Sequence, residues 1–352
     1  MSENLIEVKN LVKWFPIKSS FFKRTIGNVR AVDGISFSIK RGQTMGLVGE
    51  SGCGKSTAGR TILRLIEKTS GEILFDGQDI SALSHEELRR MRPRMQIIFQ
   101  DPYSSLSPRL PVGEIIGEGV REHHIVDDDE FDDYISRIMR ACGLQEYHKD
   151  RYPHEFSGGQ RQRICIARAL ALNPDFIVCD EPVSALDVSI QAQIINLLKQ
   201  LQRDFGLTYL FISHDLSVVE HISDTVGVMY LGTMVEYAPT DKIFDHPLHP
   251  YTEALFSAIP IPDPDVKMNR IVLQGSIPSP ANPPRGCKFH TRCSRCMDVC
   301  RYAAPAYAEI EPEHFCACHL YNDAQRQAEA EAEMARIRET EKDDGPKETE
   351  VL

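Results

Sequence analysis

No stretch of this 352-residue chain approaches the ~20 consecutive apolar residues that a membrane-spanning helix requires, so the chain cannot cross a bilayer by that route. No signal peptide opens it: Met1–Lys9 is charged and reads as the start of a strand, which points to a protein made and kept in the cytoplasm. A basic stripe is also missing. The formal net charge is −11, and residues 322–352 alone hold ten acidic against five basic side chains, which argues against nucleic acid as a partner. Cysteine is present but badly distributed. Cys53, Cys142, Cys165 and Cys179 are scattered, while Cys287, Cys293, Cys296, Cys300, Cys316 and Cys318 crowd together near the end. In a cytosolic protein such crowding suggests a metal site sooner than disulfides.

What is there is a complete phosphate-binding loop, Gly49-Glu50-Ser51-Gly52-Cys53-Gly54-Lys55-Ser56-Thr57, with the spacing G-x-x-x-x-G-K-[ST]. The apolar run Thr44–Val48 before it reads as a buried strand, and Ser56–Ile66 after it as a helix. Glycines let successive backbone N–H groups turn inward around a phosphate at the positive end of that helix. Lys55 then bridges the β- and γ-phosphates of a nucleotide, and the Ser56 hydroxyl ligates Mg²⁺. Cys53 lies beside Lys55, where a cation and a helix N-terminus are expected to lower a thiol pKa; a small residue tolerated at a free position is the plainer reading.

Apolar periodicity predicts short antiparallel strands over residues 5–40, interrupted by a basic loop at Lys18–Arg30. Strands follow at Glu72–Phe75, Arg94–Gln100, Asp175–Cys179 and Thr208–Ile212. Helices are expected at His85–Met91, Val112–Val120, Phe131–Cys142, Gly159–Leu172 and Ser189–Phe205. This alternation implies an α/β fold with a mostly parallel sheet. Asp180 and Glu181 close the strand Phe176–Cys179, where an acid lies at the ligand rim of such a sheet. Asp180 is suited to hold Mg²⁺ and Glu181 to polarise the attacking water.

The pentapeptide Phe156-Ser157-Gly158-Gly159-Gln160 resembles the signature of the ATP-binding cassette (ABC) family, with Phe where Leu is usual. That resemblance covers roughly residues 5–258. It implies a P-loop NTPase nucleotide-binding domain made of a RecA-like core, an antiparallel β subdomain and a helical subdomain at about 102–172. It further implies that Ser157, Gly158, Gly159 and Gln160 contact the γ-phosphate of ATP held on another subunit. Gln100 corresponds to the residue sensing Mg²⁺ and water, and His214 to the γ-phosphate switch. Asp187 in Ser184–Asp187 belongs to the loop crossing the dimer interface, and Phe15 to the aromatic that stacks on adenine. The nucleotide cradle is then Gly49, Ser51, Gly52, Cys53, Gly54, Lys55, Ser56 and Thr57, with catalysis resting on Glu181, His214, Gln100 and Lys55.

Gln100–Leu106, Glu155–Arg163, His249-Pro250-Tyr251-Thr252 and Leu273–Pro280 together look like the oligopeptide/dipeptide importer branch, most like its F-type ATPase. The branch implies two membrane permeases, a second and paralogous ABC ATPase, an extracytoplasmic solute-binding protein, and a place on the cytoplasmic face of the cell membrane. Peptides are the implied solute; nickel and sugars are carried by the same branch. A soluble ABC ATPase acting on nucleic acid or ribosomes is the alternative, and a scaffold that recruits a regulator is another.

Proline spacing at Ile259–Pro264 suggests a linker to a small Cys-rich extension, residues 259–321. The tail from 322 to 352 reads as a solvated helix or a disordered segment. In the family, Cys287, Cys293, Cys300 and Cys318 correspond to a pattern that in some members holds a 4Fe-4S cluster. Zn²⁺ or free buried thiols fit the same spacing.

Overall fold

A computed structural model describes residues 3–19, 24–259 and 270–343. The linker expected at Ile259–Pro264 lies, beyond Ile259, outside those residues. Twelve strands, β1 (Asn4–Lys18), β2 (Thr25–Lys40), β3 (Thr44–Val48), β4 (Ser70–Phe75), β5 (Gln78–Asp79), β6 (Met95–Ile98), β7 (Phe176–Asp180), β8 (Thr208–Ile212), β9 (Thr225–Tyr230), β10 (Thr233–Pro239), β11 (Ala308–Glu311) and β12 (His314–Cys316), are found among them. They form two sheets, ordered β2-β1-β4-β5 and β11-β12-β10-β9-β3-β8-β7-β6.

The central strands β3, β7 and β8 are buried at every position, as a parallel sheet covered on both faces demands. Alternate side chains of β8 serve opposite faces. Tyr209 and Phe211 enter the larger core, made with the helices Gly158–Leu170 and Val188–Phe205. Leu210 and Ile212 enter the second core, which joins the helix Lys55–Ile62 to the antiparallel sheet through Leu5, Ile6, Ile35 and Phe75. Emptying one such position, as in Phe211→Ala, costs about 3–5 kcal/mol. The helical subdomain inserts between β6 and β7, with Val112–Glu122 and Phe131–Ala141 packed on the helix that follows Ser157.

Several expectations are revised. Within the segment Lys18–Arg30, Lys18 and Thr25–Arg30 are strand, because β1 and β2 continue as an antiparallel ribbon with Lys18 opposite Thr25 and Pro16 opposite Asn28. Lys18, Arg24 and Arg30 stay exposed there, and their charge had masked the pairing. The Cys-rich extension prolongs the main sheet: Glu236 and Tyr237 of β10 pair with Cys316 and Phe315 of β12. The tail forms a helix over Ala324–Asp343 that rests on the extension, with Ala330 buried, Met334 packed nearby and Arg338 paired with Asp298.

Candidate functional site

The phosphate-binding loop joins β3 to the helix Lys55–Ile62, and three of its glycines have φ values closed to most side chains: +147° at Gly49, +79° at Gly52 and +108° at Gly54. A Cβ on Gly54 would lie 2.0 Å from the Ala31 carbonyl oxygen, and one on Gly49 would lie 2.2 Å from that of Met229. Both positions therefore need glycine for space as well as for φ. An open cleft of about 500 Å³ lies over the loop, lined by Ser51, Gly52, Gly54, Lys55, Ser56, Thr57, Gln100, Glu181 and His214.

Four separate stretches of sequence supply the polar side chains of this cleft. Ser56 Oγ donates to Asp180 Oδ1 at 2.6 Å, and Arg60 lies 3.2 Å from the other carboxylate oxygen. Asp180 is buried at the end of β7, so its charge is held by those two partners. Glu181 takes the left-handed conformation, φ +51°, an uncommon state for a non-glycine residue. Its Oε2 accepts from Gln100 Nε2 at 2.9 Å and lies 3.3 Å from His214 Nδ1. Lys55 is 5% exposed and donates to the carbonyls of Gly49 at 2.7 Å and Glu50 at 3.2 Å. With loop N–H groups, a lysine, and a hydroxyl beside a buried carboxylate, the residues present fit a nucleotide triphosphate with its Mg²⁺.

Other expected residues stand apart from this cleft. Ser157 caps the helix Gly158–Leu170, its Oγ accepting from Gln160 N at 3.3 Å while Gln160 Oε1 accepts from Ser157 N at 3.1 Å. That helix start faces Leu186 and Ile190: a Cβ on Gly159 would lie 2.5 Å from Ile190 Cγ2. Asp187 begins the helix Val188–Phe205 without a side-chain cap bond. Neither Ser157 nor Asp187 lines the cleft of its own chain. Phe15 pairs across the ribbon with Val29, which does line the cleft, but Phe15 itself carries the Lys13 ammonium 4.7 Å over its ring and is 37% exposed.

Cys53 follows the plainer of its two readings. It is 5% exposed, and burial pushes its thiol pKa up, outweighing the charge of Lys55. The cysteine cluster fares similarly. Cys287 lies within electrostatic reach of Cys300, Cys318 and Cys293, yet burial raises its pKa to about 12 and that of Cys318 to about 11. Burial likewise pushes Cys293 and Cys300 up. Among the described residues no group of three or more His, Cys, Asp or Glu side chains is disposed to hold a metal ion. That disposition gives no support to an iron–sulfur cluster or a zinc site.

Sequence reasoning missed three lining residues, Val29, Ala31 and Pro280. Pro280 reaches the cleft because its carbonyl accepts from Arg30 N at 3.0 Å, a contact with no local signal. Also missed were Tyr251 and Arg292, which touch Glu50 from the far end of the chain.

Comparison with known proteins agrees with this geometry. Residues 32–184 match the family described as ABC transporter, and residues 235–300 match the oligopeptide/dipeptide transporter C-terminal region. The chain is 56% identical over 323 residues to the oligopeptide transport ATP-binding protein AppF of Bacillus subtilis, covering 91% of this chain and 98% of that one. A putative peptide import ATP-binding protein of Brucella ovis is 54% identical over 314 residues, covering 89% and 97%. Among solved structures, cbiO1 of Clostridium perfringens, part of an ABC transporter complex, superimposes with a TM-score of 0.60 at 27% identity, covering 70% of this chain and 92% of that one. The dimeric cassette MJ0796 bound to ADP and Pi gives a TM-score of 0.59 at 28% identity, covering 67% and 98%. The chain belongs to the ABC transporter ATP-binding family and is an ABC-type ATPase.

Proposed function

We propose that this chain hydrolyses ATP to drive import of oligopeptides or dipeptides through partner permeases at the cytoplasmic face of the membrane. One observation carries the reading. The cleft brings the loop, Gln100, Glu181 and His214 together in a chain whose later segment matches the oligopeptide/dipeptide transporter C-terminal region.

Each side chain then has a task. Loop amides and Lys55 hold the phosphates, while Ser56 and Asp180 hold Mg²⁺, which supplies charge neutralisation at the γ-phosphate. Glu181 orients and polarises the attacking water, with Gln100 and His214 both meeting its Oε2. A signature helix that lies outside its own cleft is suited to close over the nucleotide of a second ATPase subunit. A paralogue completing the pair, two permeases and a solute-binding protein fit this arrangement. The cassette spans residues 1–258 and the Cys-rich extension 259–321, with a role in packing; an iron–sulfur cluster or zinc there has no support from the thiols described above.

Glu181→Gln tests the assignment. The variant should bind MgATP as the native chain does and lose peptide transport in the assembled importer. Retained transport overturns the role of Glu181, and an importer that carries no peptide with the native chain overturns the solute.

A further inference from the structure

Glu50 is a carboxylate inside a loop that receives a polyanion, and the structure engages every polar group it has. Its carbonyl accepts from Cys53 N at 3.2 Å and from Lys55 Nζ at 3.2 Å. Its N–H donates to the Tyr251 hydroxyl at 2.9 Å. Its carboxylate is gripped by the Arg292 guanidinium, Nη1 to Oε2 at 2.6 Å and Nη2 to Oε1 at 3.0 Å. This is the two-pronged geometry that makes arginine–carboxylate pairs strong and directional. The Arg292 side chain is 6% exposed and that of Glu50 25%, so water screens the pair weakly.

Arg292 belongs to the Cys-rich extension, between Cys287 and Cys293. The same short segment sends Lys288 to Asp33 at 2.7 Å and to the Leu231 carbonyl at 3.0 Å. Phe289 packs its ring 5.2 Å from that of Tyr230 and 5.3 Å from that of Tyr251. The extension is thereby seated against Asp33, Tyr230, Leu231 and Tyr251, and Arg292 is where it meets the phosphate-binding loop itself.

The geometry points to Arg292 as a positioning residue for ATP binding. It cancels the Glu50 charge beside Ser51, which lines the cleft. Without it, an uncompensated carboxylate would repel the triphosphate. Repulsion of this kind acts on bound substrate and transition state alike, so it raises KM for ATP and leaves kcat unchanged. The inference rests on the nucleotide assignment of the cleft.

Isothermal titration of MgATP into the full chain, with ATPase kinetics in the assembled transporter, provides the test. Arg292→Gln should weaken MgATP affinity about tenfold, equivalent to ~1.4 kcal/mol, with kcat within about twofold of native. Arg292→Lys, which keeps the charge and loses the fork, should stay within about threefold. The double variant Glu50→Gln/Arg292→Gln removes both charges and should recover affinity to within about threefold. Where Arg292→Gln fails to fold, the double variant keeps the proposal open to refutation, because it carries no uncompensated carboxylate and weak binding by it overturns the charge role. Native-like affinity in Arg292→Gln overturns the role of Arg292, and so does a double variant that binds tenfold more weakly than native. If the native chain itself does not bind MgATP, the assignment of the cleft falls instead.

Discussion

Glu236→Ala should be among the most damaging single substitutions in the chain. Glu236 is fully buried on β10. Its carboxylate accepts from Leu248 N at 2.7 Å and His249 N at 2.9 Å, and lies 2.7 Å from His314 Nε2 on β12. Each charge-assisted bond is worth roughly 1.5–3 kcal/mol, and the three share one acceptor group, so they do not add fully. Truncation leaves three buried donors without a partner, and the expected loss is about 4 kcal/mol, since an unsatisfied buried donor costs about 1–3 kcal/mol. Glu236→Gln keeps an acceptor of the same shape and should cost about half as much. His314→Phe should cost least, because the carboxylate retains both backbone donors. Equilibrium urea unfolding followed by far-UV circular dichroism, with a common slope for all variants, measures these differences. The consequence reaches the site, since Leu248 and His249 lead into the helix Pro250–Phe256, whose Tyr251 hydroxyl receives the Glu50 amide. A loss below about 1 kcal/mol for Glu236→Ala, equal to that of Glu236→Gln, would refute the reasoning.

Burial depresses the pKa of His249 to about 3 from 6.5, so the folded state holds this ring neutral. The unfolded chain binds the extra proton between those values, and stability should fall by about 1.4 kcal/mol per pH unit as pH drops from 6.5 towards 3. His249→Asn should make the melting temperature less sensitive to acid in that window; an unchanged slope speaks against the assignment. Glu181→Gln should lower the ATPase kcat by about 10²–10⁴-fold with little change in MgATP affinity, as removal of a group acting on the attacking water requires. Cys53 should resist alkylation at neutral pH in the native chain, because its thiol is buried and its pKa raised; rapid labelling confined to Cys53 contradicts that environment.

The chemistry of the phosphate-binding loop was legible because nine consecutive residues carry it, and glycine placement follows from local φ and space at Gly49 and Gly54. Buried strands announce themselves by continuous apolar runs, so β3, β7 and β8 were read at or close to their observed positions. Strands β9, β10 and β12 were not identified; β12 is short and depends on β10 for its pairing. At Cys53 the neighbouring lysine is visible in sequence, whereas the burial that outweighs it involves Met229 and other residues far along the chain.

Sequence alone therefore determined the α/β class and the cassette motifs, since each depends on residues near one another in the chain. Tertiary structure decided which distant residues complete the site. Tyr251 and Arg292 lie 201 and 242 positions from Glu50, and Glu236 lies 78 from His314. In the sequence these are ordinary polar side chains, indistinguishable from solvated ones. Folding makes them partners: β12 pairs with β10 and so sets His314 beside Glu236, while Arg292 and Tyr251 meet Glu50 from two further segments. Buried charges must find one another.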